Sequence, residues 1–383
     1  FWTMDVPAMH LHATEVLALA EALGRGDLEA KALAWLATAE GSAGNLPACV
    51  EQNRHAIDRA RALGLSPPPV AFFRSMALYW LGRHNEAVPG IREAVGVARE
   101  ANDVSWTMWS LPNLGLALAG TGRYDEATRA FNEARRMGRE YGAETLLARA
   151  IACSAGFHLD LFDFAGAEAR SQEARELARS LNFTPPAVSA GIDLLFNHAR
   201  QGEVGQAMAL IDEVAAGVEH AAGFHGWLWR LRLAEARAEI ALARGGWDEA
   251  LRWADEAIAQ SRARGRAKYE VFGLMTRAQA LTALGRAKEA SADLRSAVAL
   301  ARPVGDPSLF LRSAAGLLAV DGDDALAAEG RTVFRRIAEA IPDVDLHLRF
   351  EAAEPLRIFA RQPEPGPRGS AKRSDAEGGL RPR

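Results

Sequence analysis

The sequence predicts an all-α fold, a right-handed α-α superhelix of stacked helical hairpins, and three observations carry that prediction. The first is a period of about forty residues. A turn with a small residue is followed five positions later by an alanine-sized one: Gly44 to Cys49, Gly82 to Ala87, Gly122 to Ala127, Gly202 to Ala207, Gly245 to Ala250, Gly285 to Ala290 and Gly322 to Ala327, with Phe162 to Ala167 in the remaining slot. The eight anchors are spaced by 38, 40, 40, 40, 43, 40 and 37 residues, the regularity of a solenoid. The second is composition: alanine, leucine and arginine dominate, β-branched runs are scarce and helix formers fill the segments between turns. The third is size. A repeat array buries apolar surface between neighbours, so 383 residues need no single central core.

Each repeat reads as a helix, a tight turn and a second helix. In the clearest unit Asn113-Leu114-Gly115 opens a register continued by Leu118, Gly122, Tyr124, Ala127, Phe131 and Ala134. Gly115 and Ala127 are small where two helices touch, Tyr124 and Phe131 fill the gap to the next hairpin, and Gly122 ends the first helix with a positive φ. Asp125 is placed to cap the second helix. Residues 12–24 read as one amphipathic helix, the second half of a repeat whose first helix is missing. The segments in order are 1–26 (N-terminal piece and partial repeat), 27–340 (about eight hairpins), 341–360 (a C-terminal cap) and 361–383 (a disordered tail rich in Pro, Gly and charge). The chain starts without methionine where a helix is about to begin, as a piece of something longer would.

These hairpins resemble the tetratricopeptide repeat, whose turn motif recurs as Gly-Arg-His-Asn-Glu-Ala at 82–87, Gly-Arg-Tyr-Asp-Glu-Ala at 122–127, Gly-Trp-Asp-Glu-Ala at 246–250 and Gly-Arg-Ala-Lys-Glu-Ala at 285–290. The family's usual repeat is ~34 residues, so the longer period implies longer helices, ~17 residues each, and a wider superhelix. Long Ala- and Arg-rich repeats, with a closing segment from Pro307 to Leu356, are similar to the C-terminal tails of bacterial signal-transduction ATPases that carry a nucleotide-cyclase or LuxR-type domain. That second resemblance implies a cytoplasmic interaction and sensor module whose catalytic domains lie upstream; a free-standing adaptor is the alternative.

Chemistry leaves little trace. The net charge of −4 gives no general attraction to nucleic acid or anionic membrane. Apolar stretches are interrupted well before the ~20 residues of a membrane span, and the first residues lack the pattern of a secretory signal. All four lysines follow alanine, so no Gly-Lys phosphate loop exists, and neither H-E-x-x-H nor G-x-S-x-G occurs. The expectation is no enzyme, no cofactor, no catalytic residue and no metal: His10/His12 and His220/His225 are badly spaced for a shared ion. Asp321-Gly322-Asp323-Asp324 fails as a calcium loop and reads as a turn with Asp323 or Asp324 as a cap. Two cysteines suit a reducing cytoplasm, and Cys49 packs in an alanine slot. His158 and His198 occupy the slot of Leu118, so each needs a hydrogen-bond partner. Trp247 takes the tyrosine slot, Trp35 lies on a packed face, and Trp227 and Trp229 cannot both face one way, which leaves one of them exposed.

In tetratricopeptide arrays the first helix of each hairpin lines the concave surface. The resemblance therefore implies a groove of Phe72, Met76 and Tyr79, then Trp109 and Leu116, Arg149, Ile192 and Phe196, Arg232, Glu235 and Glu239, and finally Met275 and Gln279. It would be apolar in its first half and charged in its second, suited to a peptide or protein partner. A small-molecule effector within the superhelix is the runner-up, and longer helices that close the groove are the structural alternative. The basic cradle for a peptide carboxylate is disfavoured, since Pro112 and Leu116 stand where its cations would flank Asn113.

Overall fold

The computed structural model describes residues 5–67 and 69–360, and the described residues form helices and turns with no strand. The expected tail 361–383 lies outside them. An opening helix α1 (Val6–Ala22) is followed by eight hairpins. They pair α2 (Gly26–Ala43) with α3 (Leu46–Ala62), α4 (Phe73–Trp80) with α5 (His84–Glu100), α6 (Val104–Ala119) with α7 (Tyr124–Glu140), and α8 (Glu144–Asp160) with α9 (Phe164–Ser180). The array continues with α10 (Thr184–Gln201) and α11 (Val204–Glu219), α12 (Gly223–Ala243) and α13 (Trp247–Arg264), α14 (Ala267–Ala283) and α15 (Ala287–Val304), and α16 (Pro307–Leu318) and α17 (Asp324–Ala340). Two short helices, α18 (Val344–Ala352) and α19 (Arg357–Ala360), close the described residues. Each of the eight anchors is the fourth residue of the second helix in its pair.

One backbone device makes the turns. In seven hairpins the residue just before the second helix donates its N–H to the carbonyl five residues back: Asn45 to Glu40, Arg83 to Leu78, Arg123 to Leu118, Asp163 to His158, Glu203 to His198, Gly246 to Ala241 and Arg286 to Leu281, at 2.8–3.0 Å. This bond satisfies an otherwise orphaned carbonyl and requires a left-handed residue between. Gly122 supplies it at φ 80°, whereas Phe162 adopts φ 59° despite its bulk. Phe162 is compensated by burial against the Arg312 guanidinium, 4.1 Å from its ring.

The small residues act as the sequence implied. A Cβ on Gly115 would meet the Phe131 ring at 2.8 Å, and Phe131 and Tyr124 both reach Phe157 of the next hairpin. His158 and His198 find their partners across the turn, on Asp163 (2.6 Å) and Glu203 (2.8 Å). Asp323 caps α17 through Leu326 N–H.

Several readings need correction. Asp125 is not a cap; it is the second residue of α7 and pairs with Arg129, while Arg123 precedes the helix and clamps Glu126. The same Arg–Glu clamp forms at Arg83–Glu86 and Arg286–Glu289, so the recurring Gly-Arg-x-x-Glu-Ala motif encodes an ion pair over the turn. The opening helix starts at Val6, six residues before the expected 12. Trp35 is 37% exposed rather than packed away. Trp227 and Trp229 are both buried, because α12 is covered on two sides.

That second cover comes from the array itself. The Trp227 indole donates to the Gly41 carbonyl at the end of α2 (3.2 Å), Arg266 to the Trp80 carbonyl at the end of α4 (2.9 Å), and Arg349 pairs with Asp163 beyond α8 (2.7 Å). All three contacts join residues 186 apart. Arg264 also reaches the Ala43 carbonyl, and Arg312 the Leu159 carbonyl. The sixth hairpin thus returns over the first and the seventh over the second. Along this seam, donors from one turn satisfy helix C-terminal carbonyls of the turn before, where partial negative charge collects. Rings seal it: Trp80 lies 5.5 Å from Phe224 and 5.4 Å from Trp227.

Candidate functional site

The first helices of hairpins two to seven converge on one interior cavity, with about 180 Å³ open to the centres of water-sized molecules. Its aromatic wall includes Tyr79, Trp80, Trp109, Phe196, Phe224, Trp229, Tyr269 and Phe272, and its polar wall includes Asn113, Arg149, Asp160, Asp193, Arg200, Arg232, Arg266 and Lys268. Burial across a two-sided interior is why these helices carry apolar residues on nearly every face.

Of the residues the resemblance placed in the groove, Met76, Tyr79, Trp109, Leu116, Arg149, Phe196 and Arg232 line this cavity. The others lie elsewhere. Phe72 faces a second groove, of about 480 Å³ by the same measure, between α3, α5 and the start of α6, beside Trp106. That groove exists because α4 has 8 residues where the other hairpins begin with longer helices. Ile192 and Glu235 are wholly buried, Glu235 accepting from Thr276 (2.7 Å). Glu239 holds Arg200 in a two-bond pair (2.7 and 2.8 Å), Met275 is buried and Gln279 is exposed. The expected division into an apolar and a charged half is not what the cavity presents, since winding brings both halves around the same space.

Charge in the cavity is mostly balanced. Arg232 pairs with Asp193 (2.6 Å), Lys268 with Asp160, and Arg200 with Glu239. Burial pushes the Asp193 carboxyl up while Arg232 opposes that shift. Two guanidinium groups remain without a carboxylate among the described residues. Arg149 donates to the Trp109 carbonyl (2.8 Å) and to Asn113 Oδ1 (2.9 Å), with its charge 3.9 Å above the Trp109 ring. Arg266 donates to the Trp80 carbonyl and sits 5.4 Å from both the Tyr79 and Tyr269 rings. These cations hold nearby imidazoles neutral. Burial, then Arg149, brings His225 down to about 3; burial, then Arg266 and Lys268, does the same to His84.

Sequence reasoning missed Trp80, Asp160, Asp193, Arg200, Phe224, Arg266, Tyr269 and Phe272 as cavity residues. Lys268 carried a usable signal, being one of four lysines in a chain that otherwise uses arginine. Among the described residues no three His, Cys, Asp or Glu side chains are grouped to hold a metal, and no helix is long and apolar enough to cross a membrane. The Cys49 thiol is pushed up to about 12 by burial, which removes it as a nucleophile.

Comparisons with known proteins agree with the fold. Residues 71–140 match the profile of the tetratricopeptide repeat, and residues 247–319 match that of anaphase-promoting complex subunit 5. No curated protein matches the chain. Among solved structures it is similar to a Rap protein complexed with competence and sporulation factor, at 15% identity and a TM-score of 0.62, over 76% of this chain and 80% of that one. It is similar also to the apo form of RapI, at 14% identity and a TM-score of 0.51, over 72% of this chain and 98% of that one. The fold is that of TPR-like helical repeat proteins.

Proposed function

We propose that this chain is a non-catalytic interaction and sensor module that receives a short peptide or protein segment inside its superhelix. The observation that carries this reading is the convergence of six first helices on one cavity with aromatic walls and cationic groups. Buried aromatic surface supplies affinity, and a few placed donors supply orientation. The Rap protein whose fold this chain shares is complexed with competence and sporulation factor, which supports a binding role for such an array. In this reading the module is the helical tail of a cytoplasmic bacterial signalling or transcription-regulatory ATPase, reporting occupancy to an upstream domain; the unpaired Cys49 and Cys153 suit that compartment.

A small-molecule effector is the second reading, favoured by the seam. Contact between successive turns draws residues of α4, α12 and α14 around one interior space, which suits a compact ligand as well as an extended one.

Gly156 provides the test. It lies in mid-α8 on the cavity wall, and a Cβ there would meet only Asp193 Oδ2, at 3.9 Å. Peptide and metabolite panels should raise the melting temperature of the native chain through binding, and Gly156→Trp should abolish those shifts. Hits that survive Gly156→Trp would place binding outside the cavity and defeat the proposal.

A further inference from the structure

The cavity holds more positive than negative charge, and the surplus is localised. Three of its cations have carboxylate partners, whereas Arg149 and Arg266 are neutralised by none among the described residues. Their only acceptors are uncharged oxygens: two for Arg149, one for Arg266. A guanidinium carries five N–H donors, so both retain unused capacity. Arg266 is 4% exposed, and its Nε has no hydrogen-bond partner. Removing a charge from water without a counter-charge costs several kcal/mol, and a buried unsatisfied donor adds to that cost. Two such groups lining one cavity are an expensive arrangement that an incoming anion would relieve.

Gly156 is a second, independent observation. Several helix-interior glycines have packing reasons: a Cβ would meet Phe131 at 2.8 Å from Gly115, Leu147 at 2.8 Å from Gly138, and Val188 at 2.5 Å from Gly217, whereas Gly96 and Gly205 have open space and line no part of this cavity. At Gly156 nothing nearer than 3.9 Å demands glycine, and the space in front of it is the cavity. Glycine in a helix interior is less stable than alanine. Here that cost maintains room beside the cationic wall.

We infer that the cavity binds an organic acid, with its carboxylate seated on Arg149 and Arg266 and its apolar or aromatic body packed against Trp109, Phe196 and Trp229. This rests on the proposal that the interior is a binding site and specifies the charge of its occupant. The guanidinium fork matches a carboxylate in two-bond geometry. Neutral His84 and His225 add no positive charge of their own, so selectivity for the anion lies with the arginines.

The test uses two dyes of nearly the same shape on the full chain. One is 8-anilinonaphthalene-1-sulfonate, which is anionic; the other is the uncharged N-phenyl-1-naphthylamine. Both should bind, and Gly156→Trp should abolish binding of both. Arg149→Gln should weaken the anionic dye about tenfold or more relative to the neutral dye, while Arg149→Lys should restore much of that ratio. Arg266→Gln should act in the same direction, but it also cuts the seam, so Arg149→Gln decides if that variant does not fold. Competition by 3-phenylpropanoate identifies a free acid as a sufficient ligand. Competition by a phenylalanine-ending pentapeptide acid, but not by its amide, identifies a peptide terminus.

The outcomes separate cleanly. If Gly156→Trp abolishes both dyes and Arg149→Gln leaves their ratio unchanged, the organic-acid inference is overturned and the cavity remains a binding site. Failure of every carboxylate competitor overturns the inference as well. Dye binding insensitive to Gly156→Trp overturns both readings together.

Discussion

The seam between superhelical turns predicts an energetic coupling that an ordinary repeat array would lack. Trp80 ends α4 in the second hairpin, is 4% exposed and meets Phe224 and Trp227 of the sixth. A tryptophan buries ~150–250 Å², which at ~25 cal/mol/Å² gives roughly 4–6 kcal/mol of burial. Trp80→Ala should therefore cost about 3–5 kcal/mol, in line with truncation of large buried aromatics. Trp227→Ala should cost a similar amount, since it also removes the donor to the Gly41 carbonyl. The two are not independent. Their rings form an edge-on pair at 88°, and such pairs are worth about 0.5–1.5 kcal/mol beyond area. Urea unfolding followed by circular dichroism, on both single variants and the double variant, measures that coupling. Additive losses, within the roughly 0.3–0.5 kcal/mol expected of unconnected sites, would show that the turns do not hold one another and would refute the seam as a stabilising contact.

Three other outcomes follow from particular side chains. Ala127→Leu should destabilise by about 1–3 kcal/mol through overpacking, because Ala127 is fully buried between helices; an unchanged melting midpoint would contradict that contact. Gly156→Ala should raise stability by about 0.5–1 kcal/mol, and a lower melting temperature would show that its surroundings are less open than the geometry states. Acid should destabilise the chain from about pH 6.5 downward. His84 and His225 have folded values near 3 against 6.5 unfolded, so between those limits the unfolded state binds more protons and stability falls by about 1.4 kcal/mol per pH unit for each imidazole. Asp163 extends the loss below pH 3.8: burial opposes its charge, but His158, the Gly166 N–H and Arg349 outweigh that and hold it at about 2. A shallower slope from pH 6.5 to 4.5 in the His84→Ala/His225→Ala background than in the native chain is the expected contrast, the remainder coming from groups such as His158, which burial also pushes down. An identical slope in both would remove the histidines from the account.

Local features were legible in the sequence because they repeat. The turn glycines, the anchors and the histidine-for-leucine slots each recur every forty residues, so a position is read many times. Asp125 was misread because a carboxylate two residues into a helix and one just before it look alike without the backbone. The seam was illegible for a different reason. Gly41, Trp80 and Asp163 have no common side chain, and their partners Trp227, Arg266 and Arg349 share only a separation that no local pattern announces. Much of the cavity wall follows from that winding, so Phe224 and Tyr269 could not be assigned to it beforehand. The buried cations were recognisable only as letters; which of them lack a counter-charge depends on geometry.

The constant separation of 186 residues also bears on how such a chain can change its length. In a nearest-neighbour array a hairpin can be duplicated or deleted with loss or gain confined to its ends. Here one added unit of forty residues between the first and sixth hairpins would move every seam partner by a whole hairpin. Gly41 would face the matching first-helix position of the hairpin before, near Ala187, instead of Trp227, and the Trp80 carbonyl would lose Arg266. Repeat number within a turn is thereby locked by contacts between turns, so insertions are tolerated at the ends of the array and at the exposed tips, and copy number becomes a property of the superhelix rather than of any hairpin.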